Sequence, residues 1–244
     1  MGAICCFLYG VMAYAACLAA LLYLIGFSGG LLVPRSVDGG PSATLAEALC
    51  VDALLLSLFA VQHSVMARQS FKRWWTRMVP QPAERSTYVL ATSLVLALFF
   101  WQWRPLPVPI LWRIGNAGVV QLLWAVFWLG WALVLLSTFL INHFELFGLH
   151  QVFARLTARP MPASEFRTPL VYRYVRHPLY LGLLLSLWAV PGMTAGHALF
   201  SAGLSGYIFA GIWFEERDLV AQFGERYRRY AAEVGMLLPR RSRS

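Results

Sequence analysis

Long apolar stretches alternate with short polar ones along this chain, and their lengths predict its architecture. Four stretches approach or reach the roughly 20 apolar residues that a transmembrane helix needs; they lie at residues 4–27, 45–66, 87–103 and 117–141. A fifth stretch, residues 178–214, is too long for one crossing, and Pro191, Gly192 and Gly196 interrupt its middle. The pattern therefore predicts four single spans followed by a helical hairpin, in an all-α membrane protein.

The two arms of this hairpin determine which residues meet at its open end. At about 1.5 Å per residue, residues 178–191 extend about 20 Å and residues 197–214 about 27 Å. The second arm therefore returns to the side on which the first begins. Beyond it, apolar side chains recur at steps of three and four, at Leu219, Phe223, Tyr227, Tyr230 and Val234. This spacing predicts an amphipathic helix in the tail.

Composition and charge support a membrane location and predict the orientation of the spans. The chain is 59% hydrophobic and only 13% charged, and its mean hydropathy is +0.61, values that do not fit a water-facing surface. Of its 20 basic residues, 17 lie in one set of alternate loops and in the tail, and three in the other loops. Basic residues near span ends stay on the cytoplasmic side, so we expect both termini in the cytoplasm. The net charge of +9 then faces lipid headgroups, and no nucleic-acid-binding motif accompanies it.

Hydrogen-bond donors and aromatic rings are concentrated just before the first arm, in residues 172–182. The hairpin brings Glu215 and Glu216 close to them. Two carboxylates at a helix C-terminus face the negative end of the helix dipole, so their position needs a reason. The tail helix continuing straight from the second arm, an ion pair with Arg173 or Arg176, or simple solvation would each suffice. Alternatively, the charged groups of both arms surround a polar ligand at the cytoplasmic boundary.

Two separated motifs resemble the signature of the isoprenylcysteine carboxyl methyltransferase and phospholipid methyltransferase superfamily. The first reads RHPLYLG at residues 176–182, and the second reads EERDL and FGERYRRY at residues 215–219 and 223–230. In that superfamily the signature binds S-adenosylmethionine. The resemblance therefore implies cofactor contacts from Tyr172, Tyr174, Arg176, His177, Tyr180, Gly182, Glu215 and Glu216.

The front half is similar to the bacterial methanethiol S-methyltransferases, a group close to the NnrU-like membrane proteins. The similar motifs are QHSVMAR at residues 62–68, FKRWW at 71–75, ERSTY at 84–88, WQWRP at 101–105 and NHFELFG at 142–148. This resemblance implies the methylation of methanethiol to dimethyl sulfide in a bacterial inner membrane. Methyl transfer to sulfur is an in-line displacement, so it depends on alignment and on the presence of the thiolate.

A general base would help to deprotonate the acceptor thiol, because a small thiol is mostly protonated at neutral pH. The first candidate is His143, which ends the fourth span near the hairpin mouth, with Glu145 two residues later and His63 as a second candidate. His143 is alternatively an interfacial histidine bonded to a carbonyl group, and His63 a packed polar residue between helices. Candidates for acceptor binding are Asn142, Glu84 and Arg85, although the last two could instead pair with each other.

We expect residues 1–141 to shape the acceptor cavity and residues 142–244 to bind the methyl donor. The four cysteines lack the spacing of a metal site or redox pair, so we expect no metal. Two other functions remain open. The acceptor could be a lipid or a prenylated thiol, which needs a slot open to the membrane. The chain could also be a non-enzymatic NnrU-like protein that holds haem or a quinone between histidines.

Overall fold

The computed structural model describes residues 2–161 and 166–240. Its α-helices, in chain order, are α1 (Ala3–Gly29), α2 (Leu45–Ala67), α3 (Gln69–Trp75), α4 (Gln81–Gln102), α5 (Ala117–Ile141), α6 (His143–Leu146), α7 (Leu149–Leu156), α8 (Pro178–Trp188), α9 (Ala195–Phe223) and α10 (Glu225–Glu233). A 3-10 helix, Leu170–Arg173, precedes α8, and the strands β1 (Ile110–Arg113) and β2 (Gly192–Thr194) form a small sheet. The predicted all-α fold class is therefore confirmed.

Within the described residues, five helices are long and apolar enough to cross a membrane, namely α1, α2, α4, α5 and α9. The apolar α8 has only 11 residues and extends about 16 Å, which is short of the roughly 30 Å of hydrocarbon in a bilayer. Large apolar side chains such as Leu22 on α1 and Leu129 on α5 point outward and are exposed, as lipid-facing positions require. The chain is therefore an integral membrane protein.

The hairpin differs from its predicted form in the lengths of both arms. α8 ends at Trp188, and α9 continues past residue 214 to Phe223, so Glu215 and Glu216 lie inside a helix rather than at its end. The helix stops at Gly224, whose φ of +55° is a conformation that glycine adopts without a Cβ clash. The predicted apolar stripe from residue 219 to 234 is consequently divided between α9 and the separate tail helix α10.

The described residues form two compact units, one of residues 2–111, 142–161 and 194–200 and the other of residues 112–141, 166–193 and 201–240. In the first unit, aromatic rings pack into a core in which Phe99 stacks on Trp103 at a centroid distance of 5.1 Å. Phe200 meets Phe27 edge-on at 5.6 Å. Such pairs stabilise a core beyond the area that they bury. The functional division predicted at residue 141 stays a prediction.

In the second unit, α5 and α8 approach closely because glycines face each other. A Cβ atom added to Gly182 would lie 2.5 Å from the Gly130 carbonyl oxygen, and one added to Gly130 would lie 2.6 Å from the Gly182 oxygen. Beside them, Ser186 Oγ donates a hydrogen bond to the Phe127 carbonyl oxygen at 3.1 Å. Small residues allow this backbone approach, and the hydroxyl bond adds to it, as in other membrane helix pairs.

We expect Gly130→Ala to destabilise the protein, because its methyl group would push α5 and α8 apart. Overpacking of this kind costs about 1–3 kcal/mol, so the thermal unfolding midpoint in detergent should fall. Gly206→Ala is the matched control, since nothing lies within 4 Å of an added Cβ there. Alanine favours a helix over glycine by about 1 kcal/mol, so this control should keep or raise the midpoint. Equal midpoints for the two variants would contradict the close packing.

Candidate functional site

The chain segment that precedes α8 is hydrogen-bonded to the segment that follows α10. Val175 and Gly235 form a parallel β-bridge. The Arg176 N–H donates to the Gly235 carbonyl oxygen at 2.9 Å, and the His177 N–H donates to that of Met236 at 3.1 Å. The tail therefore forms one side of the region in which the RHPLYLG motif begins.

The Arg176 side chain joins three separate parts of the second unit. Its Nε donates to Glu216 Oε1 on α9 at 2.8 Å. Its Nη1 donates to the carbonyl oxygens of Ala231 at 2.8 Å and Val234 at 2.7 Å, at the end of α10. Only 9% of the side chain is exposed, and a guanidinium removed from water needs such partners. Arginine can bind all of these acceptors because its planar guanidinium donates hydrogen bonds in several directions at once.

His177 lies between the two glutamates of α9. Its Nε2 is 3.0 Å from Glu216 Oε1, and its Nδ1 is 3.8 Å from Glu215 Oε2. A carboxylate oxygen only accepts, so Nε2 carries the proton in the shorter contact. Both donors to Glu216 reach the same oxygen, Oε1, while 28% of this side chain stays exposed. The continuous helix and the ion pair with Arg176, both considered from the sequence, together account for the position of the glutamates.

Tyrosines line the same part of the second unit. The ring of Tyr180 is tilted against that of His177, with centroids 5.7 Å apart. Tyr230 Oη donates to the Tyr172 carbonyl oxygen at 2.5 Å, whereas the Tyr174 side chain is exposed. The structure thus brings together six of the eight predicted cofactor residues. The exceptions are Tyr174 and Gly182, and Gly182 serves the contact between α5 and α8; their cofactor contacts stay predictions.

The phenol groups of this region keep their protons at neutral pH. Burial raises the pKa of Tyr172 well above its usual range, and the charge of Glu215 raises it further. Burial likewise raises the pKa of Tyr230 to about 12, against an opposing effect of Arg176. These hydroxyls are therefore permanent hydrogen-bond donors. The cluster as a whole carries two carboxylates and one guanidinium, which suits a ligand that presents hydroxyl groups and a positive charge.

The predicted acceptor residues lie in the first unit, where His143 is the most enclosed. Its Nε2 is 2.8 Å from Tyr14 Oη on α1, and the ring of Phe147 meets it at a steep angle with centroids 4.8 Å apart. Burial lowers the pKa of His143 below its ordinary value of 6.5, so the imidazole is neutral at pH 7. Sequence reasoning missed Tyr14, because nothing local connects residues that lie 129 positions apart.

The turn that carries His143 is held by neighbouring polar groups. Asn142 Oδ1 caps α6 by accepting from the Glu145 N–H at 3.4 Å, and Asn142 Nδ2 donates to Glu145 Oε2 at 2.7 Å. From α4, Arg85 Nε donates to the Leu146 carbonyl oxygen at 2.7 Å. Glu84 lies in the first turn of α4, where a carboxylate is favoured by the helix dipole. Arg85 thus positions the turn.

His63 has hydrogen-bond partners at both ring nitrogens within the first unit. Its Nε2 is 2.7 Å from Tyr88 Oη, and its Nδ1 is 3.3 Å from Thr92 Oγ1. Thr92 Oγ1 donates its own proton to the Tyr88 carbonyl oxygen at 3.0 Å, so Nδ1 of His63 donates and Nε2 accepts. The Arg85 guanidinium lies over the Tyr88 ring, 5.1 Å from its centroid. These contacts fit the packing role between helices that the sequence left as the alternative for His63, and its catalytic role stays a prediction.

Comparisons with known proteins identify the family. The NnrU protein family model matches residues 53–237. Methanethiol S-methyltransferase 1 of Bradyrhizobium diazoefficiens is 54% identical over 96% of this chain and 81% of its own length, and methanethiol S-methyltransferase of Mycobacterium tuberculosis is 53% identical over 95% of both chains. Nurim of Sus scrofa is 29% identical over 77% of both. No solved structure matches the chain. The resemblance noted in the sequence is thus confirmed, and the chain belongs to the NnrU family.

Proposed function

We propose that this protein is a methyltransferase that methylates methanethiol with S-adenosylmethionine. The observation that carries the proposal is the 53–54% identity, over at least 95% of the chain, to enzymes named methanethiol S-methyltransferase. The thiol sulfur gains the methyl group of the sulfonium and loses its proton. The products are dimethyl sulfide, S-adenosylhomocysteine and one proton.

The polar cluster of the second unit fits the methyl donor. S-adenosylmethionine supplies an electrophilic methyl group on a positively charged sulfur. Glu215 and the exposed part of Glu216 accept hydrogen bonds from ribose hydroxyls, and the excess negative charge of the cluster favours a cationic ligand. The Tyr172 and Tyr180 rings offer faces that attract a sulfonium. Arg176 and His177 hold Glu216 in place, so they act mainly by positioning it.

The acceptor side is assigned to the first unit. A neutral, buried imidazole at His143 can receive the thiol proton, directly or through the Tyr14 hydroxyl that contacts its Nε2. Asn142 and Glu145 keep the turn in place, and Arg85 supports it from α4.

The protein is assigned to a bacterial inner membrane, with both termini in the cytoplasm. The excess of basic residues in the loops on one side supports this orientation. Five crossings by the long helices of the described residues would leave the two termini on opposite sides of the membrane. Termini on the same side therefore require a sixth crossing, which α8 and the turn before α9 would have to complete together. The exposed Trp74 beside Lys72 and Arg73 on α3 suits a layer of anionic headgroups.

Glu216→Gln tests the donor site. Loss of the carboxylate charge removes charge-assisted hydrogen bonds, so kcat/KM for S-adenosylmethionine should fall about 10- to 100-fold. Detergent-purified protein receives S-adenosylmethionine and methanethiol, and dimethyl sulfide is measured by gas chromatography. Glu225→Gln is the matched control; this exposed residue of α10 pairs with exposed Arg228 at 3.7 Å and should change the value less than about twofold.

The unsubstituted protein decides between the functions considered. Failure to release dimethyl sulfide with both substrates present would refute the proposal. Product formed only from a lipid or prenylated thiol would assign a different acceptor to the same donor site. A Soret band in a preparation that does not bind S-adenosylmethionine would favour the non-enzymatic alternative.

His143→Gln tests the base. Because burial lowers its pKa, the imidazole is in its proton-accepting form at and above pH 7 and becomes protonated only below its ordinary value of 6.5. General-base catalysis contributes about 100-fold or more, so kcat at pH 7 should fall by about this factor. The loss should shrink toward pH 9, because a larger fraction of the thiol is then ionised without a base. His150→Gln is the control and should follow the wild-type profile. An equal loss at both pH values would refute the base.

A further inference from the structure

Two short helices of the first unit, α3 and α7, come together at the end where α1 and α4 begin. Val79, which follows α3, packs against a buried cluster that contains Cys6 of α1 and Val152 of α7. A Cβ atom added to Gly10 of α1 would lie 2.5 Å from a methyl carbon of Val152, so α7 lies directly against α1. We call the surface formed by residues 68–79 and 149–161 the basic surface.

The basic surface carries charge of one sign. Its two segments contain six basic and no acidic residues, in a chain whose net charge is +9. Arg73, Arg77 and Arg159 are exposed. The exposed charges of α10 are different, because that helix contains both signs and Glu225 pairs there with Arg228 at 3.7 Å. A patch with a single sign of charge attracts an oppositely charged partner, so the basic surface favours an anionic one.

Large apolar side chains stand among these arginines and show what kind of anion fits. Trp74, Met78, Phe153 and Met161 are all exposed. The ring of Phe153 lies 6.3 Å from that of Phe7 on α1, which is one of the membrane-spanning helices. A soluble anion would leave these side chains in water. An anionic phospholipid satisfies both groups, because its phosphate meets the arginines and its acyl chains meet the apolar side chains.

We propose that the basic surface is a docking site for the headgroups of anionic phospholipids. The site adjoins the turn that carries His143, because the Gly148 N–H donates to the Glu145 carbonyl oxygen of that turn at 3.2 Å and α7 starts at the next residue. A Cβ atom added to Gly148 would lie 2.8 Å from the Ser86 nitrogen of α4. A lipid that restrains α7 therefore restrains the turn. Turnover consequently depends on the lipid, and this consequence rests on the proposed function.

The double variant Arg77→Gln/Arg159→Gln tests the docking site. Dissociation constants for phosphatidylglycerol and phosphatidylcholine are measured by native mass spectrometry of the detergent-purified protein. The unsubstituted protein should prefer phosphatidylglycerol, and the preference should weaken as salt is added. A basic residue near an anionic lipid surface contributes about 1 kcal/mol, which is about fivefold in affinity. The double variant should therefore lose at least about fivefold of the preference.

Two controls separate charge at this surface from other effects. Arg77→Lys/Arg159→Lys keeps both charges and should keep the preference within about twofold. Arg228→Gln/Arg229→Gln removes the same charge from the exposed face of α10, where both signs are present, and should also change the preference less than about twofold.

Equal dissociation constants for the two lipids in the unsubstituted protein would overturn the docking site. So would a preference that survives in the glutamine variant, or displacement of phosphatidylglycerol by inorganic phosphate at the same concentration. Release of dimethyl sulfide should be faster in nanodiscs of phosphatidylglycerol than in nanodiscs of phosphatidylcholine, and equal rates would overturn the effect on the turn. No release in either lipid would overturn the proposed function, while the dissociation constants would still decide the docking site.

Discussion

The second unit depends on one buried cation, the guanidinium of Arg176. Removing such a group from water is costly unless its N–H groups find acceptors. Arg176 finds them on α9 and at the end of α10, through Glu216 and the carbonyl oxygens of Ala231 and Val234. A lysine ammonium on its flexible stem lacks the planar fork that serves these directions together. The position of the tail and that of the glutamate are thus fixed by the same side chain.

This single anchor also fixes the orientation of the neighbouring charged groups. Because Arg176 and His177 both use Oε1 of Glu216, the carboxylate is oriented while part of it stays exposed. Glu215, also on α9, adds a second negative charge near His177. Groups that are already oriented lose little freedom on binding.

Sequence patterns predicted those features of the fold and of the candidate site that depend on residues close together in the chain. Apolar length is sufficient to find the long helices, and the motifs around Arg176 and Glu215 follow from resemblance. The end of α9 was misplaced, because an apolar stripe with helical period does not reveal that Gly224 breaks it at a φ of +55°. The cofactor contact expected of Gly182 stays a prediction, and its close approach to Gly130 could not be foreseen because it depends on how two helices pack. Pairs such as Tyr14 with His143 depend on tertiary structure in the same way.

The electrostatic surroundings of the two candidate bases favour His143 over His63. A general base must become positively charged when it takes the thiol proton. His63 already uses both ring nitrogens, with Tyr88 and Thr92, and the Arg85 guanidinium lies over the Tyr88 ring, so a second positive charge there would be repelled. For His143, burial is the force that opposes protonation, and the polar Tyr14 hydroxyl contacts its Nε2. A polar acceptor that enters beside His143 would relieve part of that burial penalty, whereas the repulsion at His63 would persist.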